Sequence, residues 1–167
     1  MVKIELTQDR LKESLEYNPD TGLFKWKRIT PNGTKGWFGG SLSGTGDLVI
    51  RVYWGLYKAH RLASLYMEGG FPKEVVDHID GNRTNNKWEN LRACSQSNNT
   101  LNSRVMSNNT SGHKGVYWRK DRRKWGVRVQ VTPYHYKSFG SHEDFELACL
   151  IADQVREKYH GEFANHG

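Results

Sequence analysis

The tract VMSNNTSGH at residues 105–113 is small and polar and reads as a linker. A chain of 167 residues interrupted there has to build two small cores in place of one large one. Hydrophobic residues are only 36% and mean hydropathy is -0.80, yet aromatics reach 12%, so thin cores held by Trp and Tyr are expected rather than disorder. No apolar run is long enough to span a bilayer, and the start, MVKIELTQDRLKESLEYN, lacks the apolar stretch of a signal peptide. Cys94 and Cys149 form no CxxC pair, which argues against a disulfide framework or a four-cysteine zinc site. A reducing, cytoplasmic setting without membrane contact is the expectation.

Charge is concentrated beyond the linker. The whole chain carries +7, with a pI near 9.4. Residues 114–137 hold eight basic side chains against one acid, Asp121, whereas residues 141–167 hold two basic side chains against six acids. A stripe of that kind is the electrostatic footprint of a phosphate-binding surface, and nucleic acid is the expected partner over a merely solvated face.

Residues 7–16 read as a helix with Thr7 as its N-cap, NPDTG as a turn, and LFKWK as a strand. Residues 30–47, rich in Gly, Thr and Ser, read as loops. DLVIRVYW and LYKAHRL form a hairpin feeding a helix at 60–68. VVDHI is a short strand, DGNRTNN a polar turn, and ENLRACS a returning element. SQSNNTLNSR reads as a helix that tertiary contacts must hold, because asparagine is a poor helix former. After the linker, GVYWRKD, KWGVRVQV and HYKSFGS are three strands. Residues 143–159 form an amphipathic helix with Phe145, Ala148, Ile151, Ala152, Val155 and Tyr159 on one face.

Asp, His and Asn crowd residues 77–102. Phosphodiester cleavage needs an activated water and a cation to offset developing charge. Asp77 is a hard oxygen ligand, His78 a suitable general base, and an asparagine carbonyl can ligate a metal or orient an imidazole. A lone Asp-His pair at a strand end is usually a turn cap beside a surface histidine, so the surrounding residues decide. Asp80 is expected to start the DGN turn, and His60 to pack or touch phosphate. Cys94 and Trp88 are expected to be buried, and Arg83 to meet the scissile strand or solvent.

VVDHIDGNRTNNKWENLR followed by SQSNNTLN resembles the HNH endonucleases of the phage and homing type. The likeness spans residues 17–102, beginning at YNPDTGLFKWK. It implies an α+β fold with a ββα-metal core at 59–104, supported by an N-terminal helix and β region at 1–58. It implies His78 as general base and Asn90 as the residue that holds the hairpin loop and orients the imidazole. Asp77 and Asn99 would hold one divalent cation, magnesium or manganese. Asn98 and Asn102 compete with Asn99 for the last position, where many members carry His.

GHKGVYWRKDRRKWGVRVQV, HYKSFG and a helix ending in HGEFAN resemble the APETALA/ethylene-response-factor DNA-binding domain, here at 113–167 after a 105–112 linker. That fold is a three-stranded antiparallel sheet backed by one helix. Alternation puts Val127 and Val129 toward the helix, and Lys124, Arg128 and Gln130 outward. Tyr117 and Arg119 share a face. Arg119, Arg128 and Gln130 are expected to reach bases or the adjacent backbone, and Lys114, Arg122, Arg123, Lys124 and Lys137 to reach phosphates.

The expected protein is a metal-dependent HNH endonuclease acting on double-stranded DNA. One site per chain implies a nicking monomer, with double-strand cutting left to a dimer, and the family likeness implies a phage or intron source. The competing readings are a catalytically silent sequence-specific DNA binder and an RNA-binding module.

Overall fold

The computed structural model describes residues 5–27, 36–37, 40–101, 105, 108–132 and 134–166. The chain divides into two compact units, 1–93 and 94–167. The division precedes the helix over 96–101, whereas the sequence places its linker at 105–112. Asn102, much of the 30–47 tract and part of the 105–113 tract lie outside the described residues.

The first unit opens with α1 (Gln8–Ser14), capped by Thr7, whose side chain accepts from the Arg10 amide. The helix stops two residues before the expected end. Leu15–Asn18 is instead a strand, β1, paired antiparallel with β2 (Leu23–Trp26). Leu15 and Tyr17 point inward on β1, so burial on a period of two overrides the helical character of the run. Between β1 and β2, Asn18 Oδ1 accepts from the amides of Asp20 and Thr21 and closes the NPDTG turn. The short β3 (Gly36–Trp37) pairs with β2.

A second antiparallel sheet follows: β4 (Ser41–Leu42), β5 (Leu48–Val52) and β6 (Gly55–Lys58). It runs directly into α2 (Ala59–Glu68), which Gly69 ends in a left-handed cap. Leu11, Leu15, Phe24, Ile50, Val52, Leu62 and Leu65 form the core of this unit. Then β7 (Val75–His78) pairs with β8 (Leu91–Cys94) across a polar loop and a short 3-10 turn at Trp88–Asn90. Cys94 is buried and Trp88 packs on the core, as expected.

The second unit begins with α3 (Gln96–Leu101). Its sheet is β9 (Val116–Arg119), β10 (Lys124–Thr132) and β11 (His135–His142), antiparallel with β10 in the middle. Behind the sheet lies α4 (Phe145–His160), capped by Asp144 Oδ1 accepting from the Leu147 amide at 2.6 Å. Val116, Val127, Val129, Ala148 and Ala152 make this core. Trp125 joins the valines and packs tilted against Phe145 with ring centroids 4.6 Å apart, although the register slips between Gly126 and Arg128. The expected apolar face also carries Arg156, one turn beyond Ala152 and 1% exposed.

Candidate active site

The polar cluster of the first unit is built on the end of β7 and the loop that follows. Asp77 and His78 are adjacent and both buried, and they meet different partners. Arg92 on β8 donates to Asp77 Oδ2 through Nη2 at 3.0 Å and Nε at 3.2 Å. His78 Nε2 lies 3.2 Å from Asn86 Oδ1. The Asn86 amide nitrogen donates to the Thr84 carbonyl at 3.0 Å, so its oxygen faces the imidazole. With the Asn86 oxygen toward it, Nε2 carries the hydrogen of that bond. This is the tautomer that a base working through Nδ1 requires.

Asn86 is almost completely buried and is held by the N-terminal turn. Tyr17 Oη donates to the Asn86 carbonyl at 2.7 Å, and burial pushes the Tyr17 hydroxyl well above its ordinary pKa. The Trp88 amide donates to the Pro19 carbonyl at 2.9 Å. Gly22 has φ +72, and a Cβ there would lie 2.4 Å from the Asn86 carbonyl carbon. Only glycine permits that backbone conformation together with that approach. The NPDTG turn is therefore part of the support of the imidazole.

Asn90 holds the loop itself. Its Nδ2 donates to Asp80 Oδ1 at 3.0 Å and to the Asn85 carbonyl at 2.8 Å, and its Oδ1 accepts from the Asp80 amide at 3.0 Å. The Asn90 carbonyl also accepts from the Ile79 amide. Both of its side-chain hydrogens are thus spent on the loop, and the bond to the imidazole comes from Asn86. Asp80 starts the turn, accepting from the Asn82 amide and from Asn85 Nδ2, each at 2.7 Å. Partial burial pushes its carboxyl up, but the donors from Asn85, Asn82 and Asn90 outweigh this and hold it below its usual value.

A second histidine completes the surroundings. His60, at the start of α2, is buried edge-on against His78 with ring centroids 5.0 Å apart. Burial first, and His78 second, pull its pKa down to about 4 against the pull of Asp47. Its Nδ1 is 3.9 Å from Asp47 Oδ1 and has no hydrogen-bond partner among the described residues. Arg83 is exposed in the loop, and its Nη1 donates to the Thr45 carbonyl at 2.5 Å.

Asn99 is half-buried on α3 in the second unit, where its amide donates to the Ser95 carbonyl. Of the sequence-selected cations there, Arg122, Arg123, Arg128 and Lys137 are exposed. Arg128 lies over the Tyr136 ring at 4.9 Å, and Lys137 over Phe139 at 5.6 Å. Arg119 is forked onto Asp121, and Lys124 pairs with Glu143 at 3.2 Å. Tyr117 covers Gly126. The Gln130 carbonyl meets His160 Nε2. Lys114 turns inward to the carbonyls of Leu101 and Asn165, where burial and Arg156 lower its pKa to about 8.

A model of the HNH endonuclease family matches residues 57–101, from β6 through α3. Protein 3.8 of Escherichia phage T7 is 35% identical over 118 residues, which are 68% of this chain and 96% of that protein. The chain belongs to the family of phage protein 3.8. Within it, residues 57–101 are an HNH endonuclease domain of mixed α and β structure. No solved structure matches the chain. Among the described residues no helix is long and apolar enough to cross a membrane.

The sequence selects Asp77, His78 and Asn90, which the structure places at one strand end, and does not select Asn86, Arg92 and Tyr17, which are hydrogen-bonded around them. Four asparagines lie between 82 and 90, and nothing in their order says which one faces the imidazole. The signal was in the distance between residues 17–22 and 86, which only the fold brings together.

Proposed function

We propose that this phage-family protein is a metal-dependent endonuclease that hydrolyses phosphodiester bonds in double-stranded DNA, cutting one strand per site. The observation that carries the reading is the His78–Asn86 bond, which places the hydrogen on Nε2 of a buried imidazole held edge-on against His60 and adjacent to Asp77. In this reading His78 Nδ1 takes a proton from water. The resulting hydroxide attacks phosphorus, the bond to the 3′-oxygen breaks, and that oxygen leaves with a proton drawn from solvent. The products carry 5′-phosphate and 3′-hydroxyl ends.

HNH nucleases generally use a divalent metal. Asp77 offers carboxylate oxygen and no thiolate, which fits a hard cation such as magnesium or manganese, and the asparagine oxygen of Asn99 is a donor of the same hard kind. Among the described residues no group of three or more His, Cys, Asp or Glu side chains comes together as a metal site. Magnesium sites commonly rest on one or two carboxylates completed by substrate phosphate and water. When bound, the cation supplies Lewis-acid stabilisation of the charge that builds up on the phosphate and the leaving oxygen. Arg92 forks onto the Asp77 carboxylate and aligns it.

The second unit is the DNA-gripping part in this reading, with Arg122, Arg123, Arg128 and Lys137 on phosphates or base edges. Homing, if it is the biological role, depends on that grip. The test is incubation of duplex DNA with the full chain and magnesium, manganese or EDTA, followed by end analysis. Ligatable nicks formed only with metal support the proposal. Intact DNA under every condition, or nicks that persist in EDTA, refute it.

A further inference from the structure

The β5–β6 hairpin closes with only Tyr53 and Trp54 between the paired residues Val52 and Gly55. Two-residue hairpin turns are normally made by Gly, Asn or Asp, because a central residue must take positive φ. Here Tyr53 takes φ +51, a conformation that costs an aromatic residue energy. Trp54 beside it is 93% exposed. Tyr53 is anchored sideways, its Oη accepting from Ser14 Oγ at 3.3 Å, so the indole is the group presented outward.

The outward face below the tip is apolar and cationic. Arg51 and Leu56 stand opposite each other across the hairpin, and both are exposed. From Leu48 to Met67 the sequence contains Arg51, Lys58 and Arg61 and no Asp or Glu. The same sheet is tied to the active-site loop by Arg83 on the Thr45 carbonyl, and its Lys58 pairs with Asp47, the carboxylate beside His60. Tyr53 is six residue steps from Asp47, an extended reach of about 20 Å. That corresponds to about six base pairs of duplex.

We propose that the tip of the β5–β6 hairpin is a DNA-engaging wedge, with Trp54 pressed against bases of the duplex that flanks the cut and Arg51 on the adjoining phosphate. A strained turn that projects a solvated indole gains nothing for the fold. A flat aromatic ring next to a cation, with no carboxylate nearby in sequence, fits stacked bases and a polyanion. The inference rests on DNA being the substrate of the His78 site, but its test reads binding and not cutting.

The experiment is titration of the full chain into a fluorescein-labelled duplex of mixed sequence in EDTA, at two salt concentrations. Wild type, Trp54→Ala, Trp54→Phe, Arg51→Ala and His78→Ala are compared, with thermal melting and sedimentation of each. Trp54→Ala is expected to bind about tenfold more weakly by the same factor at both salts, because stacking releases no counterions. Trp54→Phe should recover most of that loss. Arg51→Ala should flatten the salt dependence by about one counterion. His78→Ala should bind as wild type does, so a failed cleavage reading and a failed wedge are told apart. Unchanged affinity in Trp54→Ala, or no duplex binding by wild type, overturns the proposal. So does a wild-type dimer that Trp54→Ala splits, since a second copy of the chain would then own the tip.

Discussion

The two units bury polar groups to different ends. In the first, Asp77, His78, Asn86 and Asn90 lie together at one strand end, and the network closes on the His78 imidazole. In the second, Arg156 and His160 are buried behind the sheet, tied to Asp153, the Lys114 carbonyl and the Gln130 carbonyl. The exposed cations of that unit, Arg122, Arg123, Arg128 and Lys137, lie on a turn and on the strands of its sheet. Buried polarity in the first unit can do proton chemistry, while in the second it fastens a helix to a sheet. Activity should therefore respond to one network and stability to the other.

The largest expected effect tests the fastening role. Arg156→Met takes the charged donor away from the Lys114 carbonyl and from Asp153, which keeps His113 and His166, and should destabilise the second unit by about 3 kcal/mol, read by chemical denaturation. A loss under about 1 kcal/mol would show that the network is not a structural tie. The rate of the cutting step should be unchanged once DNA is saturating.

The next effect is a pH dependence of the first unit. The His60 imidazole is held at about 4 in the folded chain, against about 6.5 when unfolded. Below pH 6.5 the unfolded chain takes up a proton that the folded chain refuses, so stability falls as pH drops from 6.5 to 4. The loss approaches about 3 kcal/mol at the acid end of that window. His60→Gln should flatten the slope, and an unchanged slope would assign the acid sensitivity elsewhere.

Asn86→Ala should cut the cleavage rate about 100-fold while leaving DNA affinity in place, because the imidazole loses the acceptor that fixes its tautomer. The protonation of the two ring nitrogens, followed by 15N NMR of the free protein, should change from Nε2–H to a mixture. The smallest effect belongs to the exposed cations. Arg128→Ala with Lys137→Ala should reduce the logarithmic salt slope of binding by about two and leave the cutting rate alone. A change in rate without a change in slope would reverse the roles given to the two units.

Much of this division could be read along the chain. The α4 stripe of Phe145, Ala148, Ala152 and Val155 repeats at helical spacing, and Val127 and Val129 alternate with outward residues, so local periodicity defined the second core. Asp77 and His78 were selected as an acidic oxygen donor beside a histidine at a strand end, and Asn90 was selected through the likeness of the DGN and ENLR runs to HNH endonucleases. Leu15 and Glu16 were read as the end of a helix, because the pairing of Leu15–Asn18 with Leu23–Trp26 decides the conformation and pairing is not local. Arg156 escaped notice because a charge on an apolar face is expected only when a partner is visible, and Lys114 and Asp153 meet it only in the folded unit. Asn86 escaped for the same reason, since Tyr17 and Gly22 reach it from the far end of the unit.

The most direct measurement is cleavage of supercoiled plasmid, and of DNA from the natural host, by wild type and His78→Ala with magnesium, manganese or EDTA. The account predicts open circles from wild type with metal and at least a hundredfold fewer from His78→Ala, which still binds the duplex. Equal cutting by the two proteins, or intact DNA with wild type in every metal, would contradict it.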